Sequence, residues 1–90
     1  MLSSPPGLRQ RLHGKLRPYT GRTHASGVSA YAIGRDFIIL EFRDEHAYLY
    51  TSRQPGRRHV AALKRLAPLG RGLATYINQH VRQNYDRQLW

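Results

Sequence analysis

Cysteine is absent from the 90 residues of this chain, and acidic residues are scarce. Without cysteine the chain forms no disulfide, holds no thiolate-ligated metal and performs no thiol chemistry. The five acidic residues offer no evident positioned pair of carboxylates for general acid–base catalysis. No apolar run is longer than that of residues 37–40, and four residues are far fewer than the roughly 18 of a membrane span. We therefore expect a binding protein that is not an enzyme, with no cofactor, no small-molecule substrate and no membrane contact.

Positive charge is what the chain has in excess. Fifteen Lys and Arg residues against five Asp and Glu give a formal net charge of +10. Such a surplus destabilises a compact monomer by self-repulsion and attracts polyanions. Most of the basic residues are arginine, whose planar fork suits phosphate oxygens. The charge could serve solubility alone, or it could form a phosphate-binding surface.

Residues 1–27 differ in composition from the rest of the chain. They are rich in Pro, Gly and Ser, and they contain basic residues but no acid. We expect a flexible, disordered basic arm, in which leucines at four-residue spacing could form a short amphipathic turn upon binding. The arm could be a nucleic-acid-binding tail, a passive extension or a transit peptide. Its basic residues are Arg9, Arg11, Lys15, Arg17 and Arg22.

The segment 28–90 is predicted to be one α+β domain, because three strand patterns are followed by two helical patterns. Alternating or continuous apolar residues bounded by turn residues predict the strands, and apolar residues at helical spacing predict the helices. The predicted fold is a three-stranded antiparallel sheet with two helices packed on one face. The predicted strands are 28–33, 37–43 and 46–51, and the predicted helices are 58–67, ended by Pro68 and Gly70, and 71–85.

Three short motifs occur in order along this domain: Leu40-Glu41-Phe42 before a turn, then Tyr48-Leu49-Tyr50, then residues 73–78 followed by Val81 and Tyr85. Together, over residues 29–86, they resemble the KTSC family, a short domain that occurs at the C-terminus of some lysyl-tRNA synthetases and also as stand-alone bacterial proteins. The resemblance implies an RNA-binding role, and we expect a cytoplasmic location. The chain departs from the family pattern at Glu45, where a glycine is common, and in its basic arm.

The position of Tyr48 and Tyr50 depends on the length of the hairpin loop. A two-residue loop, Asp44-Glu45, would place both tyrosines on the exposed face of the sheet, like the stacking platform of RNA-binding sheets. A three-residue loop, residues 43–45, shifts the register by one, so that Leu40 opposes Tyr48 and both tyrosines enter the core. We favour the three-residue loop, since neither Asp nor Glu readily adopts the positive φ of the shorter turn. The pair is then a structural aromatic pair.

This register has a consequence for the other face of the sheet. Phe37, Ile39, Ala47 and Leu49 would share it, which is too apolar for open solvent. The predicted cover is the arm, the C-terminal residues Leu89 and Trp90, or a second copy of the chain.

Other candidate sites are weaker. The five histidines lack the three- or four-residue separation of helical metal ligands. Residues 70–72, Gly-Arg-Gly, precede the second predicted helix and could bind an anion, but they also suit a plain turn. The histidines are His13, His24, His46, His59 and His80.

The best functional lead is a set of basic residues in the loop and helices of the domain. We expect it to contact phosphates together with the arm, which makes the chain a small non-catalytic nucleic-acid-binding module with RNA favoured over DNA. The alternative is a protein-interaction or homodimerisation module that uses the apolar outer face, or an acidic partner protein. The predicted nucleic-acid-binding residues of the domain are Arg53, Arg57, Arg58, Lys64, Arg71 and Arg82.

Overall fold

The computed structural model describes residue 12, residues 14–19 and residues 27–90. The strands are β1 (Arg17–Pro18), β2 (Val28–Ile33), β3 (Phe37–Phe42), β4 (Ala47–Thr51) and β5 (Arg87–Gln88), and the helical elements are α1 (Arg57–Leu69), α2 (Leu73–Tyr76) and a π-helical segment, Ile77–Val81. Over the described residues the five strands form one antiparallel sheet in the order β1-β2-β3-β4-β5. None of the described helices has the length and apolar character to cross a membrane.

The α+β prediction is confirmed, but the prediction of a three-stranded sheet is wrong, because a two-residue strand extends each edge. β1 comes from the segment predicted as the arm, and its Arg17 pairs with Tyr31 of β2. At the other edge Gln88 of β5 pairs with Tyr48. Strands of two residues are too short to show a period in the sequence. Residues 1–11, 13 and 20–26, which include Arg9, Arg11 and Arg22, lie outside the described residues.

The β3–β4 hairpin has the register that places both tyrosines toward the core, as predicted. Leu40 pairs with Tyr48, and the loop comprises residues 43–45. The backbone N–H of Phe42 donates to the carbonyl oxygen of His46 at 2.8 Å. Glu45 has φ 70°, so the chain does place an acidic residue in the left-handed region, at the third loop position. The side chain of Asp44 accepts the backbone N–H of His46 at 3.0 Å and supports the turn.

The main core lies between the sheet and the helices. Ile38, Leu40 and Tyr50 of the central strands are at most 1% exposed, and Leu63 and Leu73 pack on them from the helices. Burying one such side chain contributes about 1.5–3 kcal/mol relative to leaving it in water. The other buried members of this core are Val28, Tyr31, Val60, Ala67, Ile77 and Val81.

The outer face of the sheet carries a second, smaller apolar cluster. Its buried members are Ile39, Ala47 and Leu89. The cover is therefore provided by the chain itself, from both ends of the described sequence. Half-buried residues that pack against the cluster are Leu12, Leu16, Ala32, Phe37, Leu49 and Trp90.

The first helix is longer than predicted. α1 continues through Pro68 to Leu69, and Gly70 (φ 73°) follows it and donates its N–H to the carbonyl oxygen of Ala67 at 3.3 Å. Pro68 is tolerated in this last turn, although the sequence predicted that it would end the helix. The left-handed glycine is what ends α1.

The second helix is shorter than predicted and changes its winding. After the four residues of α2 the chain continues as a π-helix, in which the N–H of Arg82 donates to the carbonyl oxygen of Ile77 at 2.6 Å. The helical segment ends at Val81 instead of near Tyr85. His80, within the π-helical segment, is exposed.

Candidate nucleic-acid interface

Four basic side chains lie on the solvent side of α1. The opposite side carries Val60, Leu63 and Ala67, each at most 3% exposed, and this burial fixes how the helix is rotated. No acidic residue occurs in the 13 residues of α1. We call this set the α1 cationic face: Arg57, Arg58, Lys64 and Arg65.

Two turns of helix separate Arg57 from Lys64 and Arg58 from Arg65. The pair Arg57 and Arg58 therefore lies about 10 Å along the helix axis from the pair Lys64 and Arg65. The Nζ of Lys64 donates to the carbonyl oxygen of Arg35 at 2.7 Å, which holds this one cation against the β2–β3 turn. The predicted site included the other three members but omitted Arg65, although its seven-residue spacing from Arg58 was a signal in the sequence.

The start of α1 has no negative group to balance its dipole. Its N-cap is Gly56, which provides no side-chain hydrogen bond, and the first turn contains no acid. Arg57 and Arg58 instead add positive charge beside free backbone N–H groups. This arrangement is electrostatically unfavourable unless an anion lies nearby.

Arg53, also predicted for the site, contacts a carboxylate. Its Nη2 lies 3.4 Å from Oδ2 of Asp86, and Nε of Arg87 lies 3.9 Å from Oδ1. The Thr51 hydroxyl donates to Oδ2 of Asp86 at 2.8 Å. That hydrogen bond first, and then Arg53 and Arg87, lower the pKa of Asp86 against the opposing effect of desolvation. Arg53 therefore brings less free charge than the α1 cationic face.

The remaining predicted cations occupy separate places. Arg71 is exposed between Gly70 and Gly72, whose left-handed backbones make residues 70–72 a turn. Arg82 is exposed at the end of the π-helical segment. The described part of the arm places Lys15 and Arg17, both exposed, at and before β1. The structure thus groups the helix cations and distributes the others over the domain.

The structural aromatic pair belongs to a larger aromatic group. Tyr50 is buried, whereas Tyr48 is half-buried. The ring of Tyr48 lies 4.5 Å, centroid to centroid, from that of Tyr85, and 5.7 Å from that of Phe42. Burial, then the neighbouring Tyr48 and Tyr85, raise the pKa of the Tyr50 hydroxyl above its usual range.

Beside this group lies a cavity of about 570 Å³, between the β3–β4 hairpin and the π-helical segment. Guanidinium and carboxamide side chains line it together with the aromatic rings. Arg82 is the one member of the predicted phosphate-binding set among the residues that line it. The polar residues of its wall are Arg43, Asp44, Asn78, Arg82 and Gln83.

The half-buried His59 and the exposed His80, which are far apart in the sequence, have ring centroids 5.8 Å apart. His59 Nδ1 lies 2.7 Å from the hydroxyl of Tyr76, and the rings of Tyr76 and His80 lie 4.4 Å apart. Spacing along the chain could not indicate this contact, because it joins α1 to the following helical segment. The described residues contain no group of three His, Cys, Asp or Glu side chains that could hold a metal ion.

Comparisons of the chain with protein-family models, curated proteins and solved structures gave no match. The resemblance to the KTSC family therefore stays a prediction that the motifs carry. Six residues of those motifs, from segments distant in the sequence, line the cavity: Phe42, Tyr48, Tyr50, Ile77, Asn78 and Tyr85.

Proposed function

We propose that this chain is a non-catalytic nucleic-acid-binding module that acts in the cytoplasm, with RNA favoured over DNA. The observation that carries the proposal is the α1 cationic face, where three exposed arginines and the half-buried Lys64 share one side of a helix that contains no acid. Along the helix axis, Arg57 and Arg58 lie about 10 Å from Lys64 and Arg65, a distance comparable with that between nearby phosphates of one nucleic-acid strand. Phosphates on one strand can therefore engage both pairs of cations at once.

The uncompensated start of α1 supports the same partner. A phosphate near Arg57 and Arg58 would accept hydrogen bonds from free backbone N–H groups and would balance both the dipole and the side-chain charge. In the free protein these charges repel one another. Binding of a polyanion relieves that repulsion, so the same residues that cost stability in the free chain favour the complex.

The other predicted residues contribute less to the proposed phosphate binding than the α1 cationic face does. Arg71, Arg82, Lys15 and Arg17 are exposed and available for phosphate contacts. Arg53 contributes less because Asp86 shares its charge. Arg9, Arg11 and Arg22 remain predicted contacts of the arm. RNA is favoured because the resemblance to the KTSC family implies it.

The test is fluorescence anisotropy with labelled single-stranded and duplex RNA and DNA across a range of salt concentrations. Four phosphate contacts predict that log K falls with log salt at a slope of about −3 for single strands. The double variant Arg58→Gln/Arg65→Gln should make the slope less negative by about 1.4. Both residues are exposed, so the fold should not change.

Arg87→Gln is the control for a positive charge removed outside the α1 cationic face. Arg87 pairs with Leu49, whose side chain lies on the outer face, so it points away from α1. This variant removes one charge and should leave the slope unchanged. An affinity weaker than micromolar that does not change with salt concentration would contradict the proposal.

The alternative function, protein interaction or homodimerisation, has one observation in its favour. An open groove of about 520 Å³ remains on the outer face, lined by Leu12, Phe37, Ile39, Leu49 and Leu89. Light scattering of the wild type and of Leu49→Arg tests it. A dimer that this substitution dissociates would favour the alternative, and a monomer in both would exclude self-association through the groove.

A further inference from the structure

The cavity beside the tyrosines combines aromatic surface with two cations. Phe42, Tyr48 and Tyr85 present half-buried rings, with Tyr48 and Tyr85 tilted by 41° to each other. Arg43 follows β3 on one side, and Arg82 ends the π-helical segment on the other. A ring surface for a planar group and guanidinium groups for an anion are the two elements that nucleotide recognition requires.

The two arginines are available for a ligand. Both are exposed, and neither forms a salt bridge with another described residue. The acid in the wall, Asp44, accepts the backbone N–H of His46 within the hairpin loop. The cavity therefore has an excess of positive charge on its polar side, and a guanidinium pair suits a phosphate group.

Tyr50 provides an independent observation. It lines the cavity and is 1% exposed, and its hydroxyl has no hydrogen-bond partner among the described residues. Buried hydroxyls are nearly always hydrogen-bonded, because an unsatisfied one is destabilising. A phenylalanine would fill the core equally well, so the hydroxyl has no evident role in folding. A ligand group in the cavity would give it a partner.

The π-helical segment brings the polar side chains to the wall. Its wider turn, closed by the hydrogen bond from Arg82 N–H to the Ile77 carbonyl oxygen, follows directly from α2. Asn78 and Gln83, both exposed and both carrying a carboxamide, line the cavity. Carboxamides can donate to and accept from the edge of a base, and π-helical turns occur often at functional sites.

We propose that this cavity binds one nucleotide unit, with the base against Tyr48 and Tyr85 and the phosphate on Arg43 and Arg82. Asn78 and Gln83 contact the edge of the base. Its volume falls within the range of about 300–1,000 Å³ for small-ligand pockets. The inference rests on the proposed function, because it names the part of the nucleic acid that the domain recognises: an unpaired nucleotide, either free or within a single strand.

The first experiment uses the four ribonucleoside 5′-monophosphates, with ribose 5-phosphate as the control that lacks a base. In NMR titrations of the full chain, the side-chain amide signals of Asn78 and Gln83 should shift with at least one nucleotide. Ribose 5-phosphate should produce shifts several-fold smaller. The inference would be overturned if ribose 5-phosphate produced equal shifts. It would also be overturned if no nucleotide produced a shift at up to about 10 mM added ligand, which detects affinities down to about millimolar.

The second experiment uses variants with a single-stranded RNA of eight nucleotides and a duplex of the same sequence. Arg82→Gln, Asn78→Ala and Tyr50→Phe should each weaken single-strand binding by about fivefold, and they should weaken duplex binding by less than twofold. Arg87→Gln is again the control for a removed positive charge. Arg82 and Asn78 are exposed, so these two variants keep the test valid if a tyrosine variant misfolds.

The two proposals fail in different ways. If RNA binds with the expected salt slope but the cavity variants affect single strand and duplex equally, the nucleotide site is wrong and the α1 cationic face stands. If neither RNA form binds and a mononucleotide still shifts Asn78 and Gln83, the proposed function is wrong. In that case the cavity is a site for a free nucleotide.

Discussion

The indole N–H of Trp90 donates to Oε2 of Glu41 at 3.2 Å, across the outer face of the sheet. Glu41 is the one buried charged side chain among the described residues, with 5% exposure. Leu89 and Trp90 thus cover the apolar outer face, and Trp90 also donates a hydrogen bond to the buried carboxylate of Glu41. This contact gives the carboxylate one of the hydrogen bonds that an acid beside Ile39 and Ala47 requires.

Replacing Trp90 by Phe keeps an aromatic ring and removes the donor. We expect the free energy of unfolding to fall by about 1–2 kcal/mol, because the hydrogen bond is made to a buried carboxylate. Urea unfolding followed by circular dichroism measures the change. A double-mutant cycle with Glu41→Gln isolates the pair, and a coupling energy near zero would show that the contact does not stabilise the fold.

Glu45→Gly should stabilise the chain relative to Glu45→Ala. Both substitutions remove the same side chain beyond Cβ, so interactions of the carboxylate cancel in the comparison. Only glycine adopts φ 70° without steric cost, which predicts a difference of about 1 kcal/mol. Thermal and urea unfolding measure it. Equal stability of the two variants would indicate that the loop relaxes at this position.

The lowered pKa of Asp86 predicts a loss of stability in acid. The hydrogen bond from Thr51 is its main cause, with Arg53 and Arg87 adding to it. Because the pKa is lower in the folded chain than in the unfolded chain, the stabilisation is complete above about pH 4–5 and disappears as pH falls through the folded value.

Asp86→Asn should therefore be less stable than wild type at pH 7, and the difference should shrink toward pH 2. Urea unfolding at several pH values measures this difference. A difference that stays constant down to pH 2 would contradict the assignment.

The raised pKa of Tyr50 predicts the opposite pH dependence. The folded chain keeps this phenol protonated at a pH where the unfolded chain ionises it. Its contribution to stability is complete below about pH 10 and is lost as pH rises further. In Tyr50→Phe the free energy of unfolding should fall less with rising pH above about pH 10, and at neutral pH it should equal or exceed that of the wild type. Urea unfolding at several values between about pH 7 and pH 11 measures both. Equal alkaline slopes would count against the burial of this hydroxyl.

The sequence predicted the elements whose pattern is local. The strand 28–33 has the predicted bounds, since alternation and the glycine-containing turn that follows both mark it. The position of Tyr48 and Tyr50 followed from turn chemistry, although the same reasoning underrated Glu45, which does adopt a positive φ. Here a tertiary register outweighed a local backbone preference.

What the sequence could not predict depends on contacts between distant segments. β1 and β5 exist because β2 and β4 offer them hydrogen bonds, and two residues carry no periodic signal. The π-helical turn at Ile77–Val81 looks like an ordinary helix in the pattern. Arg43 was missed as a cavity residue for the same reason: only the tertiary fold brings the hairpin loop next to Arg82.

The outer edge of β4 has consequences for how any partner protein could attach. Ala47 exchanges hydrogen bonds with Leu89 and Trp90, and the carbonyl oxygen of Leu49 accepts the N–H of Asp86. The main-chain groups that an extended peptide would need are therefore already occupied within the chain. Strand addition to this edge of β4 would first have to displace the C-terminal residues, so a partner that binds here must instead use side-chain surfaces.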